Sequence, residues 1–453
     1  MDKKIIVCLV GIIILVCTIF ITTNIFNKSE KKAETINVTV LSKSSDKLVV
    51  QDEDNIIYKL NSEYTDIIPG TNIAIEYTGL IDKNKSEQDI IIVNYTTREI
   101  QRDENGIPLG WLDNGIFKDY YILAYNKLQE LTLDEKIGQL LLVRYPDNNQ
   151  VESLEKYKFG GYLFFEKDFK DKTEEQVKNM INNIQKVSNV PLLTAVDEEG
   201  GSVVRVSSNP NLAKEKFKTS SELYTLGGLP AIREDTIEKS TLLKNLGLNL
   251  NLAPVIDVST NPNDYIYKRT IQQNTSITSN FARTVIEASK GTGVSYTLKH
   301  FPGYGNNQDT HTGSSIDSRT LEDIRTNDLP PFEAGIEVGA EAVLVSHNTV
   351  INIDSYNPAS LSADVHNLLR NELKFTGIII TDDLSMGAVS NVNNAVVEAI
   401  LAGNDLIITT DYENDINSIK IALNNGELSE EQIDQLAFRI LAWKYYKGIF
   451  NTK

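Results

Sequence analysis

Cysteine is nearly missing from this chain of 453 residues: there are two, Cys8 and Cys17, and both fall in one apolar run near the N-terminus. The remainder therefore has neither disulfides nor thiol chemistry. Positive charge is also in short supply, with 44 Lys and Arg against 62 Asp and Glu and a formal net charge of -18. Nucleic-acid binders carry a basic face, so that class is excluded and no nucleic-acid partner is expected. Such a charge suits a soluble, exported body and says nothing about fold. Exported and free of disulfides, the body is compatible with a bacterial surface. A complete glycine-rich phosphate turn after an early strand is absent as well. Its nearest candidate, Glu199-Gly200-Gly201, lacks the rest of the pattern, which disfavours a dinucleotide-binding open sheet.

What is present divides into four parts. Residues 1–32 hold Lys3 and Lys4, an apolar run over 5–26 and a charged end at Lys28, Glu30, Lys31 and Lys32. That run has the length a membrane helix needs. Signal peptides have shorter apolar cores and small-residue cleavage sites. An uncleaved single-pass anchor in the cell membrane is therefore expected, with the short N-terminal flank inside and the body extracellular. Cleavage and secretion is the alternative. Residues 33–97 alternate apolar and polar positions in INVTVLS, KLVVQD, NIIYKL, NIAIEYTG and DIIIVNYTT, separated by turn signals. This predicts a small all-β domain, OB-like, of about five strands. It shows no aromatic platform and no basic stripe, so a spacer or protein-contact role is expected before a glycan-binding one. Residues 98–118 are a polar linker with Gly106, Pro108, Gly110 and Gly115.

From 119 to 453 the pattern changes. Apolar runs at 140–143, 160–165, 191–196, 248–256, 295–299, 342–346, 377–381 and 405–410 alternate with helix-like segments. Eight such units predict an α/β fold, a (β/α)8 barrel with insertions. The last helix, 430–447, runs nearly to the end of the sequence.

The runs end in ionisable residues: Asp197, Asp257, Lys299, His300, His347, Asp382 and Asp383. Burying a charge costs several kcal/mol unless it is paired. One such residue caps a helix or braces a neighbour, as Asp257 can. A whole set at equivalent strand ends, which converge on one mouth in a barrel, is better explained as an active site. The loop after 295–299 adds Asp309 and His311, two apart, so that in an extended segment both side chains lean to one side. There a carboxylate can hold one imidazole nitrogen and leave the other free to exchange a proton. Together these groups suit sugar chemistry, with a carboxylate nucleophile, a proton donor across from it and charged groups for hydroxyls.

The segments LTLDEKIGQLLLV, GGYLFF, AVDEEGG, LNLAPVIDV, KHFPGYGNNQDTH and GIIITDDLSMGA resemble, in order over about 131–450, the signatures of glycoside hydrolase family 3. They are most similar to its NagZ-type bacterial β-N-acetylglucosaminidases. The resemblance implies that Asp382 is the nucleophile, that His311 is the acid/base and that Asp309 orients it. It implies that Asp197, Arg269, Lys299 and His300 bind sugar hydroxyls, that His347 lines the site and that Asp383 is structural. No cofactor and no metal are implied. The implied reaction is retaining hydrolysis of terminal β-linked N-acetylglucosamine, with peptidoglycan fragments as the glycan substrate. Two positions depart from the family pattern: Tyr304 stands where histidine is usual, and Thr310 where serine is common. Three alternatives stay open. A phosphorylase would make a sugar 1-phosphate. A metal-dependent hydrolase would use His300, Asp309, His311 and His347 as ligands. A wall-binding protein would use the fold without catalysis.

Overall fold

The computed structural model describes residues 33–44, 46–64, 66–305, 309–310, 313 and 315–452. The expected anchor over 5–26 and the loop residue His311 lie outside the described residues. Among the described residues, no helix is long and apolar enough to cross a membrane.

The first six strands are β1 (Glu34–Lys43), β2 (Lys47–Asp52), β3 (Ile57–Asn61), β4 (Asn72–Thr78), β5 (Glu87–Gln88) and β6 (Ile91–Arg98). They form one sheet in the order β5-β3-β2-β1-β4-β6. Alternation does the sorting: Leu48, Val50, Ile73, Ile75 and Tyr77 turn into a shared core while their neighbours face out. Strand β5 has no counterpart in the sequence pattern, because two residues are too few to show a period. It exists through its parallel pairing with β3, Lys59 against Glu87 and Leu60 against Gln88.

This unit is seated on the following body by specific bonds. The Asn367 side chain accepts from the Ile57 amide at 2.8 Å and donates to the Ile57 carbonyl at 2.7 Å. Leu41, Ile57 and Ala363 form an apolar cluster beside this pair. Residues 98–118 contribute Ile107, Trp111 and Phe117 to the main core, with Trp111 tilted against Phe438 at 5.4 Å.

The main body is a nearly closed barrel of eight parallel strands. They are β7 (Leu141–Arg144), β8 (Gly161–Phe164), β9 (Leu193–Val196), β10 (Leu250–Asn251), β11 (Ser295–Phe301), β13 (Ala342–Val345), β15 (Ile378–Thr381) and β16 (Ile407–Thr409). Their spatial order is their chain order, and β16 pairs back onto β7. The remaining seam, β15 to β16, is a bridge between Ile380 and Leu406, with the Thr381 amide on the Leu406 carbonyl at 3.1 Å. Short strands β12 (Ile316–Asp317) and β14 (Thr349–Val350) pair with each other above the mouth loops. Strands covered on both faces read as unbroken apolar runs, which is why all eight were visible in the sequence. The run 248–256 yields only two paired residues in β10. Pro254 has no amide to give to a ladder, and the chain rejoins β11 one step later through Ile256 on the Lys299 carbonyl at 2.8 Å.

Helices surround the barrel and start where the sequence has caps. Thr132, Thr173 and Thr219 open the helices Leu133–Gln139, Glu174–Val187 and Ser220–Asn245, each in a reciprocal capping box with Glu135, Gln176 and Glu222. The helix Glu430–Tyr446 is held by a buried ion cluster. Asp405 accepts from Arg439 Nε at 2.8 Å, Arg370 Nη2 at 2.8 Å and the Ile379 amide at 2.7 Å. Arg370 and Arg439 also donate to the Gly377 carbonyl at 2.8 and 2.9 Å. Removing the shared carboxylate leaves Arg370 without its ion-pair partner and Arg439 with only Asp113, 3.7 Å away. Asp405→Ala is expected to cost about 3–5 kcal/mol of stability, read from denaturant midpoints at constant slope.

Candidate active site

Four strand ends build one charged network at the mouth. Asp197 and Glu199 follow β9, Asp257 follows β10, Lys299 and His300 lie in β11, and His347 follows β13. Lys299 is 3% exposed, and its Nζ lies 2.7 Å from both Asp197 Oδ1 and Glu199 Oε1. Arg269, carried on the short turn Tyr267–Arg269, grips Glu199 with both arms, Nε at 3.0 Å and Nη2 at 2.7 Å. The same Nη2 reaches His300 Nε2 at 3.3 Å, and His300 Nδ1 lies 2.8 Å from Asp257. A guanidinium cannot accept, so Nε2 is the acceptor and Nδ1 carries the proton toward the carboxylate. A regular strand would send Lys299 and His300 to opposite faces. Here the register with β13 slips between Lys299 and Phe301. This bulge lets both side chains join one network.

Charge balance follows from the contacts. Burial opposes ionisation of Glu199, but Arg269 and Lys299 hold its carboxyl far below the usual range. Burial also opposes the Lys299 ammonium, and Asp197 and Glu199 raise it nonetheless. Asp382 follows β15, and its Oδ1 accepts the Asp383 amide at 2.9 Å. Burial favours its neutral acid. His347, His300, the Asp383 amide and Lys299 outweigh that and hold its carboxyl below the ordinary carboxylate range. Asp382 is therefore a carboxylate at neutral pH. Its neighbour Asp383 is shifted upward, by burial first, and turns its carboxyl to the Ser385 amide at 2.9 Å. His347 is fixed from both sides: Nε2 donates to the Asp383 carbonyl at 2.9 Å, and Nδ1 shares a hydrogen bond with the Ser360 hydroxyl at 2.6 Å.

The predicted residues Asp197, Arg269, Lys299, His300 and Asp382 all line one cavity of about 500 Å³. His347 lies behind it as a brace for the Asp382-Asp383 turn. Asp309 is hydrogen-bonded to Tyr265, another lining residue. His311 falls outside the described residues, so its position relative to Asp309 has no geometric account. Asp257 proves to be the brace of His300. A metal reading finds no purchase on the two described histidines of that set, because both ring nitrogens of each are engaged. Among the described residues, no group of three or more candidate ligands gathers to hold an ion.

Sequence reasoning passed over Glu199, and the signal was there. Asp197 and Glu199 are two apart and share a side, as in an extended segment. Glu198 between them turns away, into the amides of Arg205, Val206 and Ser207 at 2.7, 2.7 and 3.2 Å, and fixes the following loop. Arg144, Phe165 and Arg205 were also missed and also line the cavity.

The two departures from the family pattern explain one another. The Tyr304 oxygen accepts the Thr310 amide at 3.0 Å, and the two hydroxyls are 3.1 Å apart. Thr310 is further tied to the segment after Asp382, since its carbonyl accepts the Ala388 amide at 3.2 Å. Tyr304 thus clamps the residue beside His311.

A parallel barrel with an ionised carboxylate among paired cations at its mouth defines a hydrolase of the glycosidase class. Residues 132–443 match the N-terminal domain of glycosyl hydrolase family 3, and the chain belongs to that family. A β-hexosaminidase of Xylella fastidiosa is 32% identical over 273 residues, covering 57% of this chain and 78% of that protein. A β-hexosaminidase of Xanthomonas euvesicatoria is 32% identical over 240 residues, covering 51% and 69%. A solved glycoside hydrolase family 3 β-N-acetylglucosaminidase from Paenibacillus sp. superposes with a TM-score of 0.66 at 28% identity. That superposition covers 71% of this chain and 63% of the other.

Tyr304→Phe deletes the clamp and leaves the ring. Loss of a hydrogen bond of this kind costs about 1 kcal/mol, so kcat should fall roughly fivefold to tenfold with little change in KM. Thr310→Ser, which keeps the hydroxyl, should hold wild-type rates in the same steady-state assay.

Proposed function

We propose that this protein is a retaining β-N-acetylhexosaminidase that removes terminal non-reducing β-linked N-acetylglucosamine, with peptidoglycan fragments as its substrate. The observation that carries the reading is the ionised Asp382 opening onto the same cavity as the Asp197–Lys299–Glu199–Arg269–His300 network. The printed names of its relatives, β-hexosaminidase and β-N-acetylglucosaminidase, support the same class of substrate.

The mechanism follows from these groups. Lys299, Asp197, Arg269 and His300 present donors and acceptors to the sugar's hydroxyls and fix the ring over Asp382. The Asp382 carboxylate attacks the anomeric carbon and forms a glycosyl ester, while His311 protonates the departing oxygen. Water then attacks the anomeric carbon as His311 takes its proton, and the ester C–O bond breaks to release the sugar and regenerate the carboxylate. Histidine's ordinary pKa of about 6.5 allows both roles near neutral pH. Asp309 would stabilise the imidazolium and set its tautomer. The apolar run over 5–26 supports anchoring in the cell membrane with the catalytic body outside.

Hydrolysis of p-nitrophenyl β-N-acetylglucosaminide and of the β-1,4-linked disaccharide by residues 33–453 tests the reading. Asp382→Ala should abolish turnover of both, and retained turnover would overturn the assignment. His311→Ala should lower kcat/KM far more for the disaccharide than for the aryl glycoside, whose leaving group needs little protonation. Added phosphate should change neither product. The pH profile has a defined sign. Asp382, held below the ordinary carboxylate range, stays ionised at neutral pH, so the profile there belongs to another group. For the disaccharide, kcat/KM should fall as pH rises through the pKa of His311, because the acid must start protonated.

A further inference from the structure

The small sheet lies on the face of the barrel opposite the mouth. The helix Glu430–Tyr446 crosses that face. Arg439 donates to the Gly377 carbonyl at 2.9 Å, Lys444 to that of Gly160 at 2.8 Å and, just past the helix, Lys447 to that of Asn249 at 2.6 Å. Gly377, Gly160 and Asn249 stand immediately before β15, β8 and β10. They mark the N-terminal ends of the barrel strands, whereas Asp197, Lys299 and Asp382 mark the C-terminal ends. The sheet touches the same underside. Gln435 of that helix donates to the Asn55 side chain at 3.2 Å. A Cβ on Gly403, which leads into β16, would meet the Ile57 side chain at 3.2 Å.

Strand β1 runs toward the barrel. Leu41, near its end, clusters with Ala363. Glu34, its first residue, is seven positions earlier, about 23 Å away along a strand. The register gathers the elements of that far end: Glu34 pairs with Tyr77, and Thr78 pairs with Ile91. This end is apolar and open to solvent. Leu80, two residues past Thr78, is 84% exposed, Ile91 is 70% exposed and Val93 is 51% exposed. Burying such side chains is favourable, yet none of the three joins the sheet's own core. The sequence says what lies near them. Only residues 27–33 separate the apolar run over 5–26 from Glu34. Seven residues span at most about 25 Å, so a run held in a bilayer keeps this end of the sheet within that distance of it. Lys28, Lys31 and Lys32 outnumber Glu30 in that connection, which favours an anionic lipid surface.

We propose that Leu80, Ile91 and Val93 form a lipid-contacting tip that seats the small sheet on the membrane and turns the barrel mouth away from it. This rests on the anchoring proposed above, and it makes the sheet a pedestal between bilayer and barrel. The tip's partner is the boundary between headgroups and acyl chains, where aliphatic side chains are buried.

The test uses the full chain with Cys8→Ser and Cys17→Ser, reconstituted in vesicles of phosphatidylcholine and phosphatidylglycerol. One introduced cysteine carries a polarity-sensitive fluorophore: Leu80→Cys, Ile91→Cys or, on the mouth side, Ile316→Cys, where the native side chain is exposed. Emission at 80 and 91 should shift to the blue and be lost to nitroxide-labelled lipid, and the label at 316 should show neither change. Leu80→Asp in the Ile91→Cys chain should lessen the quenching at 91 and leave hydrolysis of the aryl glycoside unchanged. Labels at 80 and 91 as wet as the one at 316 would overturn the proposal. Shielding of 80 and 91 from iodide without quenching by lipid would also overturn it, since a protein surface then covers the tip. Release of the chain by alkaline carbonate would sink the anchoring reading instead. The same labelled chain added to preformed vesicles then decides the tip alone: a blue shift with lipid quenching supports it, and unchanged emission overturns it.

Discussion

The mouth of this barrel depends on one buried ammonium. Lys299 sits at 3% exposure between two carboxylates, each 2.7 Å away. A lone ammonium at that depth would lose its charge rather than remain. The pairing keeps it charged, and it commits the rest of the site. Asp197 and Glu199 must both leave β9 on the inner side, so Glu198 has to turn outward, where three amides receive it. Glu199 still has acceptor capacity, and Arg269 fills it from a turn far along the chain. Arg269 then fixes the tautomer of His300, and Asp257 fixes its other nitrogen. The result is a chain of charge-assisted bonds in which each group's geometry is set by its neighbour's. Asp382 gains its low pKa from the edge of the same assembly.

Much of this was legible in the sequence, for a physical reason. Barrel strands covered on both faces are unbroken apolar runs, and a charge at the end of such a run has few structural excuses. That argument found all eight strands and placed Asp197, Lys299, His300 and Asp382 at the mouth. It failed where pairing, not pattern, decides. Strand β5 is too short to have a period. Glu199 was passed over because attention stopped at the first carboxylate after the strand, although the two-residue spacing pointed to it. Arg144 and Arg205 read as ordinary polar positions after apolar ones, and nothing local says that they share an aromatic ring. Arg269 has no strand beneath it, and only the family pattern singled it out.

Tyr304 and Thr310 show how a loop can drift from its family pattern and keep its job. Taken separately, each is a substitution beside a catalytic segment. Together they are a bonded pair, six residues apart. The phenol is pushed up to about 12 by burial, so it stays a neutral hydroxyl over the working pH range. The clamp is therefore indifferent to pH changes around neutrality, where the proposed imidazole acid/base would titrate. A histidine at 304 would not have that property, since its own titration would overlap the catalytic one.

The electrostatics of the whole protein oppose those of the site, and that opposition shapes recognition. With a net charge of -18, the surface repels an acidic glycan at long range. Salt reduces that field beyond roughly 8 Å at physiological ionic strength, so the approach is hindered little and steered not at all. Discrimination has to come from contact. Within the cavity, Lys299 and Arg269 are already neutralised by carboxylates that hold them for hydroxyl binding. They have little charge left to offer an anion. Arg144, at the end of β7, and Arg205, in the loop after β9, have no ion-pair partner among the described residues and line the same cavity.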